Sequence, residues 1–210
     1  MRTTSLPLFL SLSFGLFTFS CQQKPASVET GQPPVATAPS PAPKEDASVT
    51  IIAVQAEADT LKGSPKAQAT GKIGPASLQI SYHSPAVRDR VIWGGLVPYK
   101  QVWVTGAHRA TTLETSQSIR IGGQELPAGK YALFTIPGEK EWTVIINKNW
   151  DQHLADEYSE KEDLFRLPVP AETVGQNQER LRYEIQSQSE NAGAIVLTWE
   201  KVKLAIPVAI

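Results

Sequence analysis

Three histidines, His83, His108 and His153, are the side chains of this sequence that ordinarily titrate near neutrality. Four tryptophans, Trp93, Trp103, Trp142 and Trp150, gather in the middle of the chain. Imidazoles move protons or ligate metals; indoles, with apolar faces and a polar edge, suit sugars and other amphipathic ligands. The histidines share no metal-ligand spacing, and a cluster with Glu114 or Asp156 would depend entirely on the fold. No metal and no other cofactor is therefore expected. Trp142 alternates with Val144 and Ile146 and reads as core. Trp93, Trp103 and Trp150 fall in turn-rich connections, where function more often resides. Beside them run Arg88, Asp89 and Arg90, and then Thr105 to Arg109 (Thr-Gly-Ala-His-Arg). Arg88, Arg90, Trp93, Trp103, His108, Arg109 and Trp150 thus form the candidate ligand-binding set, an aromatic floor with cationic donors. The competing reading is a long loop pinned to the core by its own tryptophans.

Most catalytic signatures are missing. The sequence has no Gly-x-Ser-x-Gly elbow, Ser-x-x-Lys, His-Glu-x-x-His or Cys-x-x-Cys. Gly123 to Lys130 imitates a phosphate-binding loop, but its glycines stand one residue too far apart and Tyr131 replaces the Mg²⁺-ligating hydroxyl. Asn147, Asn149 and Asp151 imitate the opening of a calcium loop, yet Gln152 stands where glycine is required and Tyr158 where the bidentate glutamate belongs.

The elements that must position these residues are strands. Leu78, Ile80 and Tyr82 alternate with Gln79, Ser81 and His83, which places the two sets on opposite faces. Ile119 and Ile121 lead into Gly122-Gly123, a favoured two-residue hairpin turn. Lys130 to Ile136 and Trp142 to Asn147, joined through Pro137-Gly138, predict a central hairpin. Further strands are predicted at Leu164 to Val169, Leu181 to Ile185, Ala194 to Trp199 and Lys203 to Ile210, the last demoted to an edge by Pro207. Without a convincing amphipathic helix, this pattern predicts an all-β, antiparallel β-sandwich over residues 66–210. Residues 50–65 have no clean period and form an uncertain lead-in.

The first twenty residues carry Arg2 and an apolar stretch from Leu6 to Phe19, then Ser20 and Cys21. A short positive segment, an apolar run too short to span a bilayer and a small residue before cysteine predict a lipoprotein signal peptide over 1–20. Cys21, the only cysteine, would be the acylated (palmitate-bearing) first residue of the mature protein. Residues 21–49 are rich in Pro, Ala, Ser and Thr and predict a disordered linker. With Arg2 removed, 19 basic and 21 acidic side chains give a net charge of −2, which argues against nucleic acid and against a polybasic membrane footprint. Membrane attachment is then expected through lipid, in the bacterial cell envelope. No acidic cluster follows Cys21, which favours a periplasm-facing orientation.

The ordered motifs resemble a known family. They are Tyr82 to Pro85 (Tyr-His-Ser-Pro), Arg90 to Tyr99 (Arg-Val-Ile-Trp-Gly-Gly-Leu-Val-Pro-Tyr), Val102-Trp103, Thr105 to Ala107, Ala110 to Thr112, Leu126 to Tyr131, Leu133 to Gly138 and Glu141 to Val144, followed by Asn147-Lys148. Together, over about Lys66 to Ile210, they resemble the bacterial Domain of Unknown Function family 2911. The resemblance implies an exported β-sandwich with no established activity and no catalytic residue to carry over. One departure lies after Trp103, where the family pattern runs Arg-Thr-Gly-Ala-Asn-Glu-Ala-Thr. Here Val104, His108 and Arg109 replace its Arg, Asn and Glu.

Three readings follow. The leading one is a non-catalytic, lipid-anchored module that binds a glycan or small amphipathic ligand. The second is a hydrolase-like enzyme built on His108, Arg109, Arg90 and Glu114, which must then converge at one concave site. The third is a structural or assembly protein whose partner is another envelope protein, which requires an exposed apolar patch.

Overall fold

In a computed structural model that describes Thr50, Ile52 and residues 59–210, the chain forms nine strands and no α-helix among the described residues. The expected signal peptide, Cys21 and the proline-rich linker lie outside these residues. The strands are β1 (Lys66–Ile73), β2 (Ala76–His83), β3 (Thr112–Thr115), β4 (Ile119–Ile121), β5 (Gln124–Leu126), β6 (Gly129–Ile136), β7 (Glu141–Asn147), β8 (Asp163–Ser187) and β9 (Ala192–Ala209). All pair antiparallel in one sheet of order β1-β2-β3-β6-β7-β8-β9-β4-β5.

The alternation read in β2 is the alternation of burial: Leu78, Ile80 and Tyr82 are buried, and Gln79, Ser81 and His83 are only partly so. The inward side chains of β1 to β9 belong to one hydrophobic cluster. A flat sheet of nine strands could not join them. β2 and β8 stand four places apart, yet the Tyr82 and Tyr183 rings meet edge to face at 4.7 Å. The sheet therefore curls so that its two halves share a single core, the expected sandwich made from one continuous sheet. β8 is the strand that changes layers. Its residues 163–170 pair with β7 and its residues 171–187 with β9, with register shifts between Thr173 and Arg182 where the strand bends.

Two sequence expectations are corrected here. The four short strands predicted after residue 163 are two long ones, because their turn-like interruptions are bulges within β8 and β9 rather than reversals. The last strand is also not an edge, since β9 lies between β8 and β4. Pro207 is tolerated because it meets the β4 side only where that short ladder ends: the Gly122 N–H donates to the Pro207 carbonyl at 3.0 Å, and the return bond a proline cannot give falls in the turn. In that turn Gly122 and Gly123 have φ of 56° and 86°, the two positive values that the expected hairpin requires.

The β6–β7 hairpin is buried on both faces. Its outer face carries a second small core of Val104, Ala110, Ala132, Phe134 and Ile145, covered by the loops before β3 and after β7 through Val102, Ala155 and Tyr158. This explains why Ala132 to Phe134 and Val144 to Ile146 read as unbroken apolar runs instead of alternating. At the start of the described chain, Arg180 of β8 is buried and donates to the Asp59 carboxylate at 2.7 Å and to the carbonyls of Leu61, Gly63 and Ser84. The Arg180 hydrogen bond, set against the opposing effect of burial, holds Asp59 below the usual carboxylate range.

Candidate functional site

The covering loops stop short of β1 and β2, and at their border an open groove of about 370 Å³ is left on the outer face of the sheet. Its floor follows from strand register: Gln68 of β1 stands opposite Ser81 of β2, and Ser81 opposite Thr112 of β3. Lys66 and His83, register partners at the end of β1 and β2, close one side. Lys130 of β6, Arg109 before β3, and Trp150 with Asp151 after β7 form the rest of the rim.

The rim is held by backbone zipping between the two loops. The Leu154 N–H donates to the His108 carbonyl at 2.7 Å and the Ala110 N–H to the Gln152 carbonyl at 3.1 Å. This register costs backbone strain, since Thr105, His108 and Leu154 all adopt φ between 48° and 61°. The strain is opposed from beneath. The Thr105 carbonyl accepts from the Tyr183 hydroxyl at 2.8 Å and from the Thr111 hydroxyl at 2.9 Å. Burial first, and then the neighbouring Tyr82, push the Tyr183 phenol well above its ordinary pKa, so it remains a donor. Gly106 lets the loop settle against β2: a Cβ there would stand 2.7 Å from the Thr111 hydroxyl and 3.3 Å from the His83 carbonyl.

Electrostatically the groove is cationic. Lys66, Arg109 and Lys130 face one carboxylate, Asp151, which is paired with Arg109. The Lys130 ammonium lies 4.1 Å from the centroid of the Trp150 ring, and the His83 and His108 rings meet edge to face at 5.2 Å. Burial, and then the fields of His108, Lys66 and Arg109, lower the His83 pKa below its usual 6.5, so its imidazole is neutral at pH 7.

The seven residues singled out in the sequence divide into three places. Arg109 and Trp150 line the groove, and His108 borders it through the His83 ring. Trp93 and Trp103 turn inward and form a four-indole cluster with Trp142 and Trp199, with ring centroids 4.8 to 6.1 Å apart. Trp103 is fixed there by two backbone bonds with Thr135, and the buried Trp93 Nε1 has no hydrogen-bond partner. Arg88 and Arg90 bind backbone carbonyls instead, Arg88 that of Leu61 and Arg90 those of Ala86 and Val87.

The groove's polar residues outside that set of seven are Lys66, Gln68, Ser81, His83, Thr112, Lys130 and Asp151, of which the sequence marks His83 only as a titratable side chain. A signal for Ser81 and His83 was present in the outward face of β2. For Asp151 it was the polar company of Trp150, which is flanked by Asn149 and Asp151, whereas Trp103 is flanked by Val102 and Val104. The calcium-loop imitation is structural: the Asn147 amide donates to Ser159 and Asp163, and its oxygen accepts from the Asn149 N–H.

The arrangement can bind more readily than it can react. Of the four side chains an enzyme reading requires, His108 and Arg109 sit at the groove, Glu114 lines a separate depression with Gln79 and Ser116, and Arg90 faces backbone carbonyls. Among the described residues no cluster of three or more His, Cys, Asp or Glu could hold a metal ion.

A family model described as "Protein of unknown function (DUF2911)" matches residues 64–208 of the chain. No curated protein and no solved structure matches it.

Proposed function

Since the chain belongs to the DUF2911 family, whose description gives no activity to inherit, we propose from the groove itself that this is a non-catalytic, lipid-anchored module of the bacterial envelope that binds a small amphipathic ligand such as a saccharide. One observation carries the reading: Trp150, the exposed tryptophan among the described residues, stands at the rim of an open groove whose other lining includes the cations Lys66, Arg109 and Lys130, the hydroxyls of Ser81 and Thr112, the Gln68 amide and the Asp151 carboxylate. A volume of about 370 Å³ suits a small ligand. An indole with ring surface open to solvent gains by being covered with the apolar face of a sugar, while hydroxyl and amide groups in the floor match the sugar's polar edge.

Titrating the full-length protein in detergent with oligomers of N-acetylglucosamine and other envelope glycans, while following tryptophan emission, tests the reading. A saturable response is expected that disappears in Trp150→Phe and persists in Trp103→Phe. No response to any glycan, or one that survives Trp150→Phe, would overturn it. The anchoring has its own test: fatty-acid labelling of the protein is expected to vanish in Cys21→Ser, and labelling that persists would contradict acylation at that residue.

The assembly reading calls for an exposed apolar surface. The described residues nearest to one are Val91 and Leu96, joined across a turn by the Leu96 N–H to the Val91 carbonyl at 3.0 Å. Two side chains fall short of the several hundred Å² of a typical interaction patch.

A further inference from the structure

We propose that the ligand of the groove is an acidic saccharide, a sugar bearing one carboxylate, which Arg109 takes in place of Asp151 while the sugar ring covers Trp150. The proposal rests on the groove being the binding site, and it adds the charge of the ligand and the residue that reads it.

The first argument is local charge. The whole sequence has a formal net charge of −1, yet the groove presents Lys66, Arg109 and Lys130 against Asp151 alone. The excess is therefore placed, not compositional. Glu114, which stands opposite Lys130 in the β3–β6 register, lines a different depression.

The second argument is that the groove already holds weak internal copies of the contacts such a ligand would make. Arg109 is engaged by a carboxylate, that of Asp151, and the two side chains are 53% and 67% exposed. An ion pair so open to water contributes little, so exchanging it for a ligand carboxylate costs little, and a guanidinium can take a free carboxylate with two parallel N–H donors. The Trp150 ring is likewise occupied by the Lys130 ammonium, an exposed cation–π contact that a sugar can displace or share. A carboxylate is favoured over other anions because a carboxylate is what Arg109 already seats.

The third argument concerns the floor. Ser81 accepts the Gln79 amide at 3.3 Å, which leaves its own O–H to donate outward, beside Gln68 and Thr112. These are neutral groups suited to sugar hydroxyls rather than to a second charge.

His83 couples this site to pH. The groups that face it are Lys66 from β1 and His108 and Arg109 from the loop before β3, all cationic when charged. Burial first, and then the repulsion of these groups, lowers the His83 pKa, and a carboxylate brought among them removes part of that repulsion. Binding the acid should then take up a proton, and affinity for the acid should rise as pH falls through the region below 6.5.

Calorimetry on the full-length protein with N-acetylmuramic acid and N-acetylglucosamine tests the proposal, since the two differ in a lactyl ether carboxylate. N-acetylmuramic acid should bind about tenfold more tightly, as one added charge-assisted interaction warrants. That preference should shrink to within about twofold in Arg109→Gln. Lowering the pH from 7.5 to 5.5 should strengthen binding of the acid alone, and His83→Asn should remove that dependence. Equal affinity for the two sugars, or a preference that survives Arg109→Gln, overturns the acidic-saccharide proposal and leaves the groove as a neutral-sugar site. Binding of neither sugar overturns the proposal together with the reading on which it rests.

Discussion

One connection, from Arg88 to Thr112, supplies side chains to two regions of opposite character. Inward, the partly buried Trp93 and Trp103 complete an indole cluster with the buried Trp142 and Trp199, stabilised by ring contact. Outward, the same connection ends in His108 and Arg109 at the rim of a groove, where Trp150 and Lys130 meet across an exposed cation–π contact. The inner region is a packing device. The outer one is a set of exposed contacts with little energy in any of them. Aromatic content in a loop therefore does not mark a ligand site; what separates the two uses is what flanks each ring.

The contrast breaks most sharply on stability. Trp142 and Trp199 are each about 1% exposed, so Trp142→Ala or Trp199→Ala should cost roughly 3–5 kcal/mol in urea denaturation. A loss below about 1 kcal/mol would show that the cluster is not a tight core. Next comes the strut between the regions. Tyr183→Phe removes one of two donors to the Thr105 carbonyl and should cost about 1 kcal/mol, with faster amide exchange around Thr105 to Arg109. An unchanged exchange pattern there would mean that the rim does not depend on Tyr183.

The outer region should behave oppositely. Trp150→Ala should change stability by no more than about 0.5 kcal/mol while abolishing ligand binding. If it unfolds the domain, Trp150 belongs to the inner class.

The smallest effects are on pH. The His83 pKa is lower folded than its usual 6.5, so the unfolded chain binds the extra proton first. Its contribution is full above pH 6.5 and is lost as pH falls below that value. Tyr82, pushed up to about 12 by burial, acts at the other end: its contribution is present below about pH 10 and is lost as pH rises toward 12. His83→Asn should flatten the acid limb of a thermal-stability profile and leave the alkaline limb unchanged.

How much of this was legible in the sequence depended on locality. β2, the Gly122-Gly123 hairpin and the β6–β7 hairpin announce themselves because their determinants are neighbours: alternation, a turn pair, two β-prone runs. β8 and β9 do not, because a bulged strand that changes layers carries the same turn-like residues as a reversal, and only its partners distinguish the two. The same limit applies to the groove. Arg109 and Trp150 were visible as a loop cation and a loop indole, whereas Lys66, Ser81 and Lys130 acquire meaning only when strand register brings β1, β2, β3 and β6 side by side. Arg90 looked equally suited to a ligand and is spent on the carbonyls of Ala86 and Val87, a use that side-chain type cannot reveal.

Hydrogen exchange of the full-length protein with and without saturating saccharide tests the central claim most directly, because it locates the ligand without assuming its chemistry. Protection is expected in two stretches that border the groove, residues 108–112 and 150–154, with residues 91–103 unchanged. Protection confined to residues 91–103 would place the ligand at the indole cluster and contradict the account.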